Sequence, residues 1–262
     1  MRSLDASWPR ARAMAWRRRW DLQQSSLLPE REARFAAMLD WVEVLVGRRP
    51  RCLDLGCGTG AISERLLARF PRARSVGVDY DPVLLRVGST GLGGVGGRMR
   101  WVDADLRSPR WTSALPRGRF DAALSSTALH WLTGPQLGRF YRSLARVIRP
   151  GGLVLNADLI RFRGNSSRLG AAARALRHER VRGALPARAP RSENWEEWWS
   201  AIGREPGLSA ELELRARRFP HEHMGTPTPD AEGHRARLLA AGFREVETVW
   251  SLGESRLLAA VR

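Results

Sequence analysis

The sequence predicts an α/β fold: a Rossmann-like, seven-stranded, mostly parallel sheet with helices on both faces, an antiparallel C-terminal hairpin and helical lid additions. Three observations carry this. From residue 50 short apolar runs alternate with amphipathic segments, the pattern of βαβ units. The first run, RCLDLG, passes through a glycine-rich turn directly into a helical segment, AISERLLARF. At the far end EVETVWSL and SRLLAAVR are two strand-like runs joined by a tight turn at Gly253, which reads as a hairpin at a sheet edge.

Taken in order, residues 1–49 form an N-terminal helical cap. Phe35, Met38, Leu39, Val42, Leu45 and Val46 recur at helical spacing, and Arg49-Pro50 is expected to close that helix. The basic, aromatic stretch Trp8–Trp20 is expected to pack on the body as a lid. Residues 50–160 form the core: RCLDLG, AISERLLARF, SVGVDY, PVLLRVG, MRWVDADL, FDAALSS, a helix around Gln136–Ile148 and GLVLNADLI. The glycine-rich stretch 91–97 reads as a flexible surface loop. Residues 161–230 break the pattern and form an insertion, within which Trp195, Trp198 and Trp199 share one helix face. Residues 231–262 supply a last helix and the hairpin. One domain covers all 262 residues.

Composition narrows the class. A hydrophobic fraction of 43% supports a core and excludes a mainly disordered chain. No apolar run reaches the ~18 residues a membrane span needs, and the N-terminus lacks the apolar stretch of a signal peptide, so the expected compartment is the cytoplasm. Only Cys52 and Cys57 occur, too few for a disulfide framework or a zinc site, and both read as reduced. The 44 basic residues against 27 acidic ones give a net charge of +17, and every basic residue is arginine. That excess predicts attraction to polyanions at low salt. The arginines are scattered rather than gathered in one tract, which is the pattern of a solvated surface.

The most informative segment is Asp54-Leu55-Gly56-Cys57-Gly58-Thr59-Gly60. Glycines permit positive φ and let a ligand lie against the backbone, beside a helix N-terminus with unpaired N–H groups. The spacing G-x-G-x-G is one residue shorter than the dinucleotide fingerprint, and a carboxylate at Asp54 suits an ammonium group better than a pyrophosphate. Asp79 ends the next strand, 19 residues after Gly60, where an acid can accept from ribose hydroxyls. A ligand with a positive amino-acid end and a ribose fits this set better than NAD.

CLDLGCGTG, VGVDYDP, WVDADLR, FDAALSSTALHWL and RVIRPGGLVL resemble the successive motifs of class I S-adenosylmethionine-dependent methyltransferases, and within them the small-molecule branch that includes trans-aconitate methyltransferase. The resemblance is strong over about residues 50–160 and extends by pattern over 230–262. It implies S-adenosylmethionine as cofactor and S-adenosylhomocysteine as product. Gly56, Cys57, Gly58 and Gly60 would lie along the methionine portion, with Asp54 near its ammonium end. Asp79 would hold the ribose, Tyr80 would flank the adenine, Asp105 would accept from the adenine amino group and the Leu106 N–H would reach a ring nitrogen. Ser125 and Ser126 would stand beside the methyl-donor pocket. Helix-start packing is the plain alternative for Tyr80, and Asp103 competes with Asp105 on spacing; Asp105 is favoured because the family motif ends there.

Methyl transfer from a sulfonium is an in-line displacement, so positioning supplies much of the rate and a base is needed only where the acceptor must lose a proton. The resemblance places ALHW at the mouth of the cofactor site, which makes His130 the candidate base or substrate contact; packing the loop with Trp131 is the alternative. Candidate acceptor contacts are Trp16, Trp20, Trp199, His130, His221 and His223, with core packing the simpler account of the tryptophans. The alternating His221 and His223 lack an evident third ligand, so no metal is expected; His178 reads as surface. Arg17, Arg18 and Arg19 could draw an acidic acceptor to the lid. The expected activity is methylation of a small-molecule carboxylate or hydroxyl by a monomer or homodimer, with no membrane partner. The +17 charge motivates an alternative, an RNA methyltransferase or RNA-binding protein. Against it, Ser125-Ser126-Thr127-Ala128 stands where nucleobase amino-methyltransferases carry an Asn-Pro-Pro-Tyr type of motif, so nucleic acid is not the expected partner.

Overall fold

The computed structural model describes residues 8–163, 167–183, 193–220 and 229–262. Two helices open the chain, α1 (Arg10–Leu27) and α2 (Arg31–Leu45). The core then alternates: β1 (Arg51–Leu55), α3 (Ala61–Arg69), β2 (Arg74–Asp79), α4 (Pro82–Gly91), β3 (Met99–Asp103), β4 (Phe120–Ser126), α5 (Gly134–Val147) and β5 (Ile148–Leu159). Short 3₁₀ turns at 111–114 and 129–131 flank β4. Helices α6 (Arg168–Gly183), α7 (Trp195–Ile202), α8 (Ser209–Arg218) and α9 (Ala231–Ala240) lead to β6 (Glu245–Leu252) and β7 (Ser255–Val261).

The seven strands form one sheet in the order β3-β2-β1-β4-β5-β7-β6. Strands β1 to β5 pair in parallel, and β7 pairs antiparallel with both β5 and β6. The expected sheet and its C-terminal hairpin are therefore present. The strand order reverses between β1 and β4, and in open sheets of this kind ligands bind outside the carboxyl ends at that reversal.

Alternation along the strands feeds two cores. Leu53, Leu55, Val76, Val78, Ala123 and Val154 face α5 and α9, where Phe140, Tyr141 and Leu238 close the layer. Cys52, Ala122, Leu124, Leu153 and Leu155 face α2 and α3, packing on Phe35, Met38, Val42, Leu66 and Phe70. A third cluster joins the cap to the insertion: Trp8, Ala13, Trp16 and Trp20 pack on Val83, Leu84 and Val87 of α4 and on Trp198 and Ile202 of α7.

The ends of α2 and α7 show how local chemistry sets boundaries. Helix α2 stops before the expected Arg49-Pro50: Gly47 takes φ +95° and its N–H turns back to Val42 and Glu43, so a left-handed glycine, not the proline, ends it. Helix α7 starts on a reciprocal cap, with Asn194 accepting from Glu197 N and Glu197 accepting from Asn194 N, both at 2.8 Å. The stretch 91–97 is not wholly surface. Gly91 is buried under α1, where a Cβ would meet Arg17 Cδ at 2.6 Å. Among the described residues no helix is long and apolar enough to cross a membrane.

Candidate active site

The parallel strands bring Leu55, Asp79, Asp103, Ser125 and Asp158 to one edge of the sheet. Between β1 and α3 the chain turns through Gly56, Gly58 and Gly60 at φ +66°, +52° and +83°, which only glycine takes without strain. The three differ in what surrounds them. A Cβ on Gly56 would fall 2.2 Å from Ala128 Cβ, and one on Gly60 2.5 Å from the Trp101 ring, so both are closed by packing. Gly58 would meet nothing nearer than Leu84 Cδ1 at 3.9 Å, which leaves bare backbone facing space. Cys57 turns inward: its N–H donates to Val78 O, and its sulfur would lie 2.9 Å from a Cβ at Gly77. Burial pushes both thiols above their ordinary values, and both cysteines are free.

Two acids frame this loop. Asp54 is buried, one oxygen accepting from Ser63 N at 3.0 Å and Ser63 Oγ at 2.6 Å, while Oδ1 has no partner among the described residues. Burial raises its pKa to about 6 against the opposing pull of Ser63. Asp79 is half-buried; Oδ2 accepts from Gly58 N at 2.7 Å, and Oδ1 from Tyr80 N and Asp81 N at 2.7 and 2.9 Å. Burial again lifts it to about 6, with the charge of Asp81 adding to the rise.

Beyond Asp79 lies a cavity of about 400 Å³ bounded by Tyr80, Asp103, Ala104, Asp105, Trp111 and Arg218, among others. Strand β3 ends at Asp103, so strict strand alternation does not run on to Asp105. The two acids have different partners: Asp105 accepts from the N–H and Nε of Arg107, whereas Asp103 takes both terminal nitrogens of Arg218. The Tyr80 ring lies beneath the guanidiniums of Arg218 and Arg107, at 4.3 and 5.2 Å, with Phe219 at its edge. Leu106 packs against the α5-side core. Ser125 is buried and gives its hydroxyl to Leu55 O at 2.9 Å, bracing β4 against the glycine loop.

After β4 the chain turns sharply. Thr127 sits at φ +52°, an unusual conformation for a β-branched residue, and delivers Ala128 against Gly56 and His130 beside β5. His130 Nδ1 is 2.9 and 3.1 Å from the two oxygens of Asp158, which also accepts from His130 N at 3.2 Å. Burial disfavours the imidazolium, but the charge and hydrogen bond of Asp158 outweigh it, so the pKa of His130 lies above its ordinary value despite an opposing Arg34. Burial would raise Asp158, and His130 with Leu159 N and Arg34 holds it low instead. Arg34 is wholly buried, with Nη2 on Ser255 Oγ at 2.5 Å, Nη1 on Ser126 Oγ at 3.5 Å and Glu30 at 3.8 Å.

The remaining candidates lie in the cap and insertion, or outside the described residues. Trp16 and Trp20 are buried, their rings 5.7 and 4.7 Å from that of Trp198, and Trp199 is covered by Arg215 at 3.6 Å. These rings pack on one another in the core of the cap. Arg17 and Arg19 of the lid are engaged within the protein. Arg17 donates to Thr59 O at 3.1 Å and pairs with Glu64, and Arg19 pairs with Glu193 over the Trp16 ring; Arg18 is exposed. His178 is exposed on α6. His221 and His223 lie outside the described residues, among which no cluster of His, Cys, Asp or Glu could hold a metal ion.

Asp158 and Arg218 escaped sequence reasoning. Asp158 left a faint signal, a carboxylate near the end of the otherwise apolar run GLVLNADLI. Arg218 left none, because its partners lie more than a hundred residues away.

Residues 52–152, which include the glycine loop, Asp79, the Asp103–Asp105 segment and His130, match the methyltransferase domain family. Over these residues the chain carries a methyltransferase domain. It is 33% identical over 135 residues to a trans-aconitate 2-methyltransferase of Azoarcus sp., a match covering 52% of this chain and 49% of that protein. A malonyl-[acyl-carrier protein] O-methyltransferase of Legionella pneumophila is 32% identical over 111 residues, covering 42% of this chain and 36% of the relative. The chain thus spans about half the length or less of these relatives. Its fold is shared with an O-methyltransferase family protein from Burkholderia thailandensis, at a TM-score of 0.57 and 18% identity over 93% of this chain and 59% of that one.

The site fits the family's cofactor on its own geometry. Gly58 leaves room for a ligand against the backbone, Asp54 keeps an unused buried acceptor, and Asp79 offers a carboxylate at the next strand end.

Proposed function

We propose that this protein transfers a methyl group from S-adenosylmethionine to the hydroxyl oxygen of a small molecule, with His130 as general base. The observation that carries the hydroxyl is the His130–Asp158 pair. A carboxylate acceptor is already an anion and needs no base, whereas a hydroxyl must lose its proton as the new O–C bond forms.

The bound cofactor supplies an electrophilic methyl on a sulfonium. Gly56 and Gly60 shape the turn, and Gly58 presents backbone to the methionine portion. Asp54 receives the ammonium end, directly or through water. Asp79 accepts from the ribose hydroxyls, and Tyr80 and Asp105 border the adenine. Asp158 holds Nδ1 of His130, so the nitrogen that takes the acceptor's proton is Nε2. S-adenosylmethionine would supply the methyl group, its S–C electron pair staying on sulfur, and His130 would take the proton that the acceptor oxygen loses. In this reading 50–160 is the cofactor core, 1–49 its cap, 161–230 the insertion and 231–262 the closing helix and hairpin.

The names of the relatives favour a second reading, a carboxylate acceptor as in trans-aconitate. One experiment separates the two. S-adenosylhomocysteine release is followed with panels of small hydroxy compounds and of carboxylic acids, using the protein and its His130→Ala variant. Turnover of a hydroxy compound that falls at least a hundredfold in the variant supports the first reading. Turnover of a carboxylate that survives the substitution establishes the second.

A further inference from the structure

One helix of the insertion, α8, lies against the segment that follows Asp79, bonded to Tyr80 and Asp81. Helix α8 buries none of its residues fully; Leu212 packs partly buried against the cap cluster, and its remaining anchors are polar. Arginines hold it in place. Arg215 Nε donates to Asp81 Oδ2 at 2.7 Å, and its guanidinium stacks on Trp199. Arg218 donates from Nη1 to Tyr80 O at 2.7 Å and grips Asp103 with both terminal nitrogens at 2.8 Å. Its guanidinium lies 4.3 Å over the Tyr80 ring, and its side chain, only 17% exposed, forms part of the cavity wall shared with Asp103 and Asp105.

The charge pattern gives these contacts a purpose. Four carboxylates, Asp79, Asp81, Asp103 and Asp105, crowd the rim where a neutral nucleoside would lie. Arg215 pairs with Asp81, Arg218 with Asp103 and Arg107 with Asp105, while Asp79 accepts only backbone N–H groups. Arginine is suited to this because its planar fork binds a carboxylate bidentately and still stacks on a π face. Three acids are neutralised, and the one left without a guanidinium is the one placed for the ribose.

We propose that Arg218 is a cofactor-binding residue contributed by the insertion, forming the outer wall of the adenosine slot and neutralising Asp103 so that Asp79 alone receives the ribose. This rests on the reading that S-adenosylmethionine binds at the glycine loop. Helix α8 then serves the cofactor, and affinity for the adenosine half depends on a residue that none of the cofactor motifs contains.

The test is a calorimetric titration of the full chain with S-adenosylmethionine and with 5′-methylthioadenosine, which keeps the adenosine and lacks the amino-acid end. The proteins are the wild type, Arg218→Gln, Arg218→Lys, Asp103→Asn and, as a surface control, Arg204→Gln. The expected result is a Kd raised at least tenfold for both ligands in Arg218→Gln and Asp103→Asn. Arg218→Lys should be weakened as well, because an ammonium can neither fork nor stack, and Arg204→Gln should match the wild type. Unchanged affinity in both Arg218→Gln and Asp103→Asn overturns the proposal, as does a loss seen for S-adenosylmethionine but not for the adenosine-only ligand. Full affinity in Arg218→Lys overturns the stacked wall. Failure of the wild type to bind S-adenosylmethionine is a different outcome and sinks the underlying reading instead. Asp103→Asn removes the same pair from the strand side, so the question stays answerable if an Arg218 variant folds poorly.

Discussion

His130 Nδ1 lies 2.9 Å from Asp158 Oδ1, joining the turn after β4 to the carboxyl end of β5. The carboxylate is buried and the imidazole half-buried, so the pair fixes the ring's orientation and its protonated nitrogen together.

This pair sets a kinetic expectation. His130→Ala should lower kcat for a hydroxyl acceptor about 10²–10⁴-fold. The base works only when neutral, and the wild-type pKa is raised, so kcat should fall as pH drops through a value above that of free imidazole. In Asp158→Asn the carboxylate's charge is gone while burial remains, so that acid limb should move to lower pH as kcat declines. A limb that stays in place in steady-state pH profiles would exclude His130 as the titrating base.

Cofactor binding should release protons near pH 6. Asp54 and Asp79 both titrate at about 6 without cofactor, raised chiefly by burial. A ligand bearing ammonium and sulfonium charges favours their ionised forms. Calorimetry in buffers of different ionisation enthalpy should show proton release at pH 6 and almost none at pH 8. Asp79→Asn should reduce the release; an unchanged proton count would remove Asp79 from the linkage.

The two outer loop glycines and the middle one should fail differently. Gly58→Ala has space for its methyl and costs about 1–2 kcal/mol for its left-handed backbone, so it should fold yet lose cofactor affinity. Gly56→Ala drives a Cβ to 2.2 Å from that of Ala128 and should lower the melting temperature as well. Equal melting temperatures for the two variants would contradict this division.

A pH-dependent term in stability should come from His234. Its Nδ1 lies 2.8 Å from the buried Tyr141 hydroxyl, and burial holds its pKa at about 4. The unfolded chain protonates this histidine near 6.5 and the folded one only near 4, so its contribution is present above 6.5 and is lost as pH falls from there towards 4. The loss amounts to roughly 3 kcal/mol. Asp54 and Asp79, with raised values, act in the opposite direction over nearly the same window. Denaturant unfolding of His234→Phe and wild type should therefore diverge in pH slope between 4 and 6.5, the variant losing less on acidification; parallel curves would count against it.

Trp198 of α7 is completely buried against Trp16 and Trp20 of the cap, and Trp198→Ala should cost about 3–5 kcal/mol in denaturant unfolding. A loss below 1 kcal/mol would mean that the cap does not rest on this ring.

The sheet and the glycine loop were legible because both are written locally, in period and in spacing. RCLDLGCGTG carries its strand, its positive-φ turn and its helix start within ten residues, and Asp79 follows at the end of the next strand. The end of α2 was misread because Gly47 acts before Pro50. Helical spacing put Trp195, Trp198 and Trp199 on one face, but nothing local shows that Trp16 and Trp20 meet that face. The His130–Asp158 pair and the Arg218–Asp103 clasp depend on parallel registers and on where an inserted helix lands, neither of which is encoded near the residues concerned.

Six of the eleven tryptophans, Trp8, Trp16, Trp20, Trp195, Trp198 and Trp199, are gathered in or beside the cap cluster, with neighbouring ring centroids 4.7–6.2 Å apart in the pairs that touch. At such separations indole excited states couple, and energy passes among the rings. The intrinsic fluorescence and near-ultraviolet circular dichroism of this protein therefore report first on how α1 sits against α7, and only second on the sheet. A spectroscopist following its emission would be watching the roof of the molecule rather than its foundations.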